Sequence, residues 1–406
     1  MAPGSAAAAV AATESPVAVA KPRSGPALSR DPVSTGALVL SAALALPGLL
    51  PTASAEPAPS GGMIGLRNLS YRESQPGLER VGSNSPSLVF LLPLAGEWAL
   101  SGDLVTDNVS GASPRYHTAI SGASQMKDRR NAADLQLKRY LEDGSVSVGL
   151  ARSNENDYGS TALSLQSTVD SKDRNTTLLW GLGGASDKIN PVNLAVHNEQ
   201  RHSIDAMLGV AQVLTPADLV QFSLGYNRGR GYFSDPYKIF DNRPRQLSQT
   251  TLSAKWNHHF DAADGTSRFS YRYGSNSDGV RSHTLGKEYV QAFAEGWSVT
   301  PGLRYYSQSA ARFYVDPTYD PLFGAPFPAG VAIFAHPLLS MDQRLSAFGA
   351  LTLEAKLARQ LSAQWSADLK LARYEQRSAW RWFGRGSPGL APLTAHWFEI
   401  GLYRRW

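Results

Sequence analysis

From about residue 60 onward, apolar and polar residues alternate with period two through most of the chain. In 97–106, Trp98, Leu100, Gly102 and Leu104 share one face, and Glu97, Ser101 and Asp103 the other. In 345–357, Leu345, Ala347, Gly349, Leu351, Leu353, Ala355 and Leu357 alternate with Ser346, Phe348, Thr352, Glu354 and Lys356. In 364–371, Trp365, Ala367, Leu369 and Leu371 alternate with Ser366, Asp368 and Lys370. Runs near 220–226, 252–260 and 297–305 behave alike. Period two with one apolar face predicts half-buried strands. No run of ~18 apolar residues follows, so a helical membrane bundle is excluded.

The spacing between strands separates a soluble sandwich from a membrane barrel. Short connections are expected at 93–97, 142–145, 171–175, 215–218, 261–265, 294–296 and near Leu361-Ser362. Longer ones fall between them, near 74–85, 109–127, 185–200, 231–246, 309–344 and 379–393, with brief ones near 153–158 and 275–279. Tight turns on one rim and longer loops on the other describe an all-β, transmembrane up-and-down antiparallel β-barrel. The count is about sixteen strands, within a range of about 14–18, and an even number puts both ends on the short-turn side. Trp98, Trp297 and Trp365 follow short turns, while Phe260 precedes one and Trp406 ends the chain, as an interfacial aromatic girdle requires.

Both ends of the chain agree. The apolar stretch Gly36–Leu50 is too short to span a bilayer, and Pro51 and Ala53-Ser54-Ala55 follow it, with Lys21, Arg23 and Arg30 upstream. That is the layout of a signal peptide cleaved after Ala55. The expected division is therefore leader and signal in 1–55 and barrel in 56–406, although the stretch ahead of the apolar run is long for a leader. The last residues, "HWFEIGLYRRW", resemble the terminal signal read by the barrel-assembly machinery, through Phe398, Gly401, Leu402 and Trp406. Arg404 stands where that signal has an apolar residue. An ordinary final strand is the alternative. The expected location is the outer membrane of a Gram-negative bacterium, in contact with lipid and lipopolysaccharide.

Composition narrows the chemistry. Aromatic residues make up 10% of the chain and are spread along it, which argues against disorder. The net charge of +5 comes from interleaved signs, and without a basic–aromatic motif it does not point to nucleic acid. Cysteine is absent, which removes thiol catalysis, cysteine-bound zinc and disulfides.

Several stretches are similar to an uncharacterised bacterial family, domain of unknown function 3570, whose members are expected to be outer-membrane barrels. They are "VSGASPRYH" (109–117), "GYFSDPYK" (231–238), "DNRPRQ" (241–246), "RSHTL" (281–285), "GWSVTPGLRYYSQSAARFYVDP" (296–317) and "DQRLSAFGAL" (342–351). The resemblance covers essentially the whole expected barrel and implies a fold and a compartment, with no activity attached.

The face opposite the apolar one would line the lumen. Its candidates are Glu97, Asp103, Asp107, Lys138, Lys255, Arg268, Arg272, Arg304, Glu354, Lys356, Asp368, Lys370 and Glu399. They could pair with one another along the wall or act as a selectivity filter. The apolar, proline-rich 309–344 is expected either to fold into the mouth as a constriction or plug, or to stay exposed. Asp235, Asp316 and Asp320, with Asp241, could supply oxygen ligands to calcium, or their Asp-Pro steps could simply make turns. For catalysis we considered His117, His258, His259 and His283, with Ser282 and Asp278. Ser282 and His283 point to opposite faces of a strand and cannot pair directly, and no hydrolase, zinc-protease or phosphate-loop motif occurs. The pattern therefore points to a pore for small polar solutes. The alternatives are a non-conducting surface-binding or envelope-assembly barrel and, after it, a barrel-embedded hydrolase.

Overall fold

The computed structural model describes residues 58–406, apart from 115–122, 193, 237, 239, 317–318, 321–323 and 329–335. The expected signal and its cleavage after Ala55 lie outside the described residues, as does His117. At Leu78 and in 110–114, 123–128, 319–320 and 324–328 only the backbone is described.

Sixteen strands form a closed barrel in which each pairs antiparallel with its neighbours. They are β1 (Met63–Gln75), β2 (Leu78–Pro93), β3 (Trp98–Pro114), β4 (Ala123–Leu141), β5 (Gly144–Asn154), β6 (Tyr158–Asp170), β7 (Thr176–Ile189), β8 (Glu199–Thr215) and β9 (Asp218–Gly231), followed by β11 (Gln246–Phe260), β12 (Gly265–Asn276), β13 (Arg281–Ala294), β14 (Trp297–Gln308), β18 (Phe348–Gln360), β19 (Trp365–Arg377) and β20 (Leu393–Arg405). Four short strands lie in the loops: β10 (Asp241–Asn242), β15 (Tyr319–Asp320), β16 (Gly324–Pro328) and β17 (Leu339–Ser340). The ring closes where β20 pairs with β1, from Met63 opposite Arg405 to Ser74 opposite Thr394.

Burial is inverted relative to a soluble protein. Outward residues are large and apolar: Leu66 is 61% exposed, Leu163 59% and Ile204 63%. Inward residues are polar and covered: Asp103 is 1% exposed and Arg67 6%. A leucine wall around a charged interior is stable only where the outside is lipid, and closure leaves no strand edge unpaired in the bilayer. The fold is a transmembrane β-barrel.

The short-turn rim carries a repeated outward pair. Arg139 lies over the Trp98 ring at 5.5 Å, Arg359 over Trp297 at 4.8 Å and Arg404 over Trp365 at 5.8 Å. In each case the two residues are direct cross-strand partners. Arg404 thus follows a rule of this barrel, a guanidinium covering a girdle tryptophan with its charge at the headgroup level.

Two expectations about connections need correction. The supposed long connection at 74–85 is a tight turn, because Pro76 and Gly77 (φ 75°) reverse the chain and β2 starts at Leu78. The loop expected at 109–127 is mostly strand, since β3 runs to Pro114 and β4 starts at Ala123. The alternation from Leu345 is also not all strand. Leu345 ends a 3-10 turn, Ala347 is 4% exposed, and β18 begins at Phe348, because this stretch dives inside the barrel.

Candidate functional site

Most of the inward charges are tied to each other along the wall. Lys356 meets Asp368 at 3.1 Å and Lys370 meets Glu354 at 3.1 Å, across β18 and β19. Asp103 is held by Arg67, Asp107 by Arg130, and Arg201 meets Asp187 at 2.7 Å. Arg268 approaches Glu288 at 3.8 Å, and Lys138 sits over the Tyr140 ring at 4.5 Å. Lys255, Arg272, Arg304 and Glu399 share the inward register of β11, β12, β14 and β20 with these residues. Glu97 departs from expectation. It lies exposed in the turn before β3 and meets Arg139 at 3.6 Å on the rim.

The mouth on the long-loop side holds a second arrangement, built by two connections that are far apart in sequence. One joins β9 to β11; the other joins β14 to β18. They pair as a two-stranded ladder, Asp241 opposite Ser340 and Asn242 opposite Leu339. At its centre is Asp342, fully buried. Its carboxylate accepts from Lys238 Nζ at 2.9 Å, Arg243 Nη2 at 2.5 Å and Arg344 Nε at 2.7 Å. Arg344 also donates to Asp235 at 2.9 Å, and Arg243 to Asp241 at 2.8 Å. Three carboxylates thus face three cations, so the cluster is neutral as a whole. Buried charges need such partners of opposite sign, because each alone would cost far more to desolvate.

Electrostatics inside the cluster are uneven. Burial pushes the Lys238 ammonium down to about 8 against the pull of Asp342. Burial also opposes the Arg344 charge, yet Asp342 and Asp235 together hold it above its ordinary value. Nearby, burial raises the Asp278 and Asp316 carboxyls.

The segment Leu339–Ser346 reaches both walls. Gln308, at the top of β14, donates to the Arg344 and Ser346 carbonyls at 2.9 and 2.7 Å. Gln343 Oε1 accepts from Arg80 Nη1, on β2, at 3.3 Å. In the ring β2 and β9 are seven strands apart one way and nine the other. A segment bound to β2 on one side and to the β9–β11 connection on the other is a bar across the mouth. Beside it the inner face turns apolar: Tyr71, Phe348, Tyr374, Leu390, Leu393 and Trp397 pack together, with Leu390 supplied by the last connection.

The carboxylates read as calcium candidates have other partners here. Asp235 takes Arg344, Asp316 accepts from Tyr314 and from the Gly389 amide, and the Asp320 side chain lies outside the described residues. Among the described residues no three acidic or imidazole groups come together to hold a metal. His283 faces outward, bonded to Tyr271 at 2.8 Å and against Trp382 and Phe383. His258 is on Asp218 at 2.7 Å and His259 on Thr266 at 3.1 Å.

The family profile described as a protein of unknown function, DUF3570, matches residues 120–392. The chain belongs to that family. Every charged member of the mouth cluster, from Asp235 to Arg344, lies within the matched span, and each falls in a stretch that resembled the family in sequence. Reading those stretches together would have pointed to the cluster. No curated protein matches the chain. Among solved structures, it is similar to the siderophore receptor PirA from Pseudomonas aeruginosa (10% identity, TM-score 0.42), covering 80% of this chain and 57% of the receptor. It is also similar to a bacterial polysaccharide outer membrane secretin (10%, TM-score 0.47, covering 84% and 98%) and to OccK2 of Pseudomonas aeruginosa (12%, 0.43, covering 85% and 97%). At these identities the likeness is one of barrel architecture.

Proposed function

We propose that this family member is an outer-membrane pore for small polar solutes whose mouth is narrowed by the Leu339–Ser346 bar. The observation that carries the reading is the bar itself, bound to opposite walls above a charged, paired lining. A bare sixteen-strand barrel leaves an aqueous channel, and a hydrogen-bonded segment across it sets what enters. A non-conducting barrel is the second reading, favoured by the apolar packing beside the bar.

Planar-bilayer recordings of the purified barrel test both. Wild type is expected to give small, ion-selective steps. Replacing 312–345 with a short Gly-Ser linker is expected to raise conductance several-fold. Equal conductance in the two proteins sinks the constriction, and silence in both favours the non-conducting barrel.

A further inference from the structure

The outer wall carries charged residues that a uniform lipid-facing surface does not need. Across β1, β20 and β19, Arg72, His396 and Arg373 are direct cross-strand partners, and all three point outward and are exposed. Directly opposed residues on one face have Cβ atoms ~5 Å apart, so this is a contiguous basic row. Arg373 is steadied by Glu375 through its Nε at 2.9 Å, and Glu375 also takes Arg377 at 3.3 Å. The carboxylate is thus shared by two guanidiniums and leaves the row cationic.

Below the row, toward the short-turn rim, the wall is indented. Leu371 and Phe398 oppose each other there, flanked by the small residues Ala355 and Ser70. Together with the row above they line an open groove of about 570 Å³. The level is informative. His396 lies ten residues up β20 from Trp406. At ~3.4 Å per residue and a tilt of ~40°, that is about 25 Å, the height of the apolar band. The basic row therefore sits at the headgroup level of the leaflet on the long-loop side, with an apolar slot running down from it.

We infer that this groove binds one phosphorylated glycolipid of the lipid A type: its phosphates lie among Arg72, Arg373 and His396, and one acyl chain lies against Leu371 and Phe398. Guanidinium groups suit phosphate because their planar donors bond two oxygens at once. The leaflet level selects the glycolipid, since in an outer membrane lipid A occupies the side of the long loops. The inference rests on the barrel and its outer-membrane location, and not on conductance.

Native mass spectrometry of the detergent-purified barrel tests it, with bis-phosphorylated lipid A as the probe. Wild type is expected to retain one lipid A. The triple variant R72Q/R373Q/H396Q is expected to retain at least tenfold less while still shifting on heating in gels. A second variant, Ala355→Trp, keeps every charge and fills the groove, and is expected to lose the adduct as well. Lipid A stripped of phosphate is expected to bind as poorly as the triple variant binds the intact lipid. Equal retention by wild type and both variants overturns the site. So does phosphatidylglycerol held as strongly as lipid A, or displacement of lipid A by millimolar inorganic phosphate.

Discussion

At the scale of single residues, Asp342 and Lys238 decide how the mouth behaves. Removing the Asp342 charge leaves Lys238, Arg243 and Arg344 crowded around a neutral group. Breaking one partner of a buried charge set costs ~3 kcal/mol or more. Asp342→Asn is therefore expected to loosen the bar while the barrel itself stays folded. The check is faster proteolysis within 231–246 and larger single-channel steps. Lys238 adds a pH dependence whose sign follows from its depressed value. In the locked mouth it loses its proton near 8, whereas once released it would keep it to about 10.4. The lock therefore gains stability as pH rises from about 8 to about 10, and that gain is absent below 8. Asp235, Asp241 and Asp342 face Lys238 and its neighbours, and Tyr232, raised to about 12 by burial, stays neutral across this window. Open probability is expected to fall across that range in wild type and to stay flat in Lys238→Met. At the other rim, Arg404→Ala removes one exposed cation–π contact, worth ~0.5–1 kcal/mol. It is expected to leave the yield of folded barrel nearly unchanged, as measured by heat-modifiable mobility.

At the scale of elements, the closing seam depends on two glycines and one tyrosine. A Cβ on Gly401 would come within 2.5 Å of the Tyr403 hydroxyl and 2.6 Å of Asp368 Oδ1. A Cβ on Gly65, opposite Tyr403 in β1, would fall 2.4 Å from the same ring. The ring lies flat across both positions, on the inner face where β20 meets β1. Gly401 was legible in the sequence as part of a terminal signal; the packing reason for it was not, because the Tyr403 ring that covers it is seated against Gly65, which becomes the partner of Tyr403 only after closure. Gly401→Val is expected to displace Tyr403 and weaken the seam, seen as loss of the heat-modifiable band at a temperature several degrees lower. The connections show the same limit. The tight turn at Pro76-Gly77 reads in the sequence as the start of a polar loop, because β1 and β2 continue as polar strands above the apolar band. There, register is held by inward groups such as Glu73 and Arg80 and not by hydrophobic alternation.

At the scale of the whole molecule, the first and last strands must find each other for any of this to exist. Trp406 exchanges backbone hydrogen bonds with Gly62, at 3.0 and 3.1 Å, one position beyond the strand pairing, and its ring covers that glycine. Deleting Trp406 is therefore expected to impair membrane insertion, and normal amounts of heat-modifiable barrel in the truncated protein would count against that. What the sequence determined by itself is the strand periodicity, the approximate strand number, the polar interior and the girdle. All of these follow from residues two apart or from the spacing of turns, which are local properties of the chain. What only the tertiary structure decided is the set of partners. Arg243 and Asp342 are 99 residues apart, Arg80 and Gln343 are 263 apart, and the lipid groove joins the first strand to the last three of the ring. Alternation says which face a side chain takes. Closure into a ring says what it meets there, and the bar, the seam and the basic row all exist only because the ring is closed.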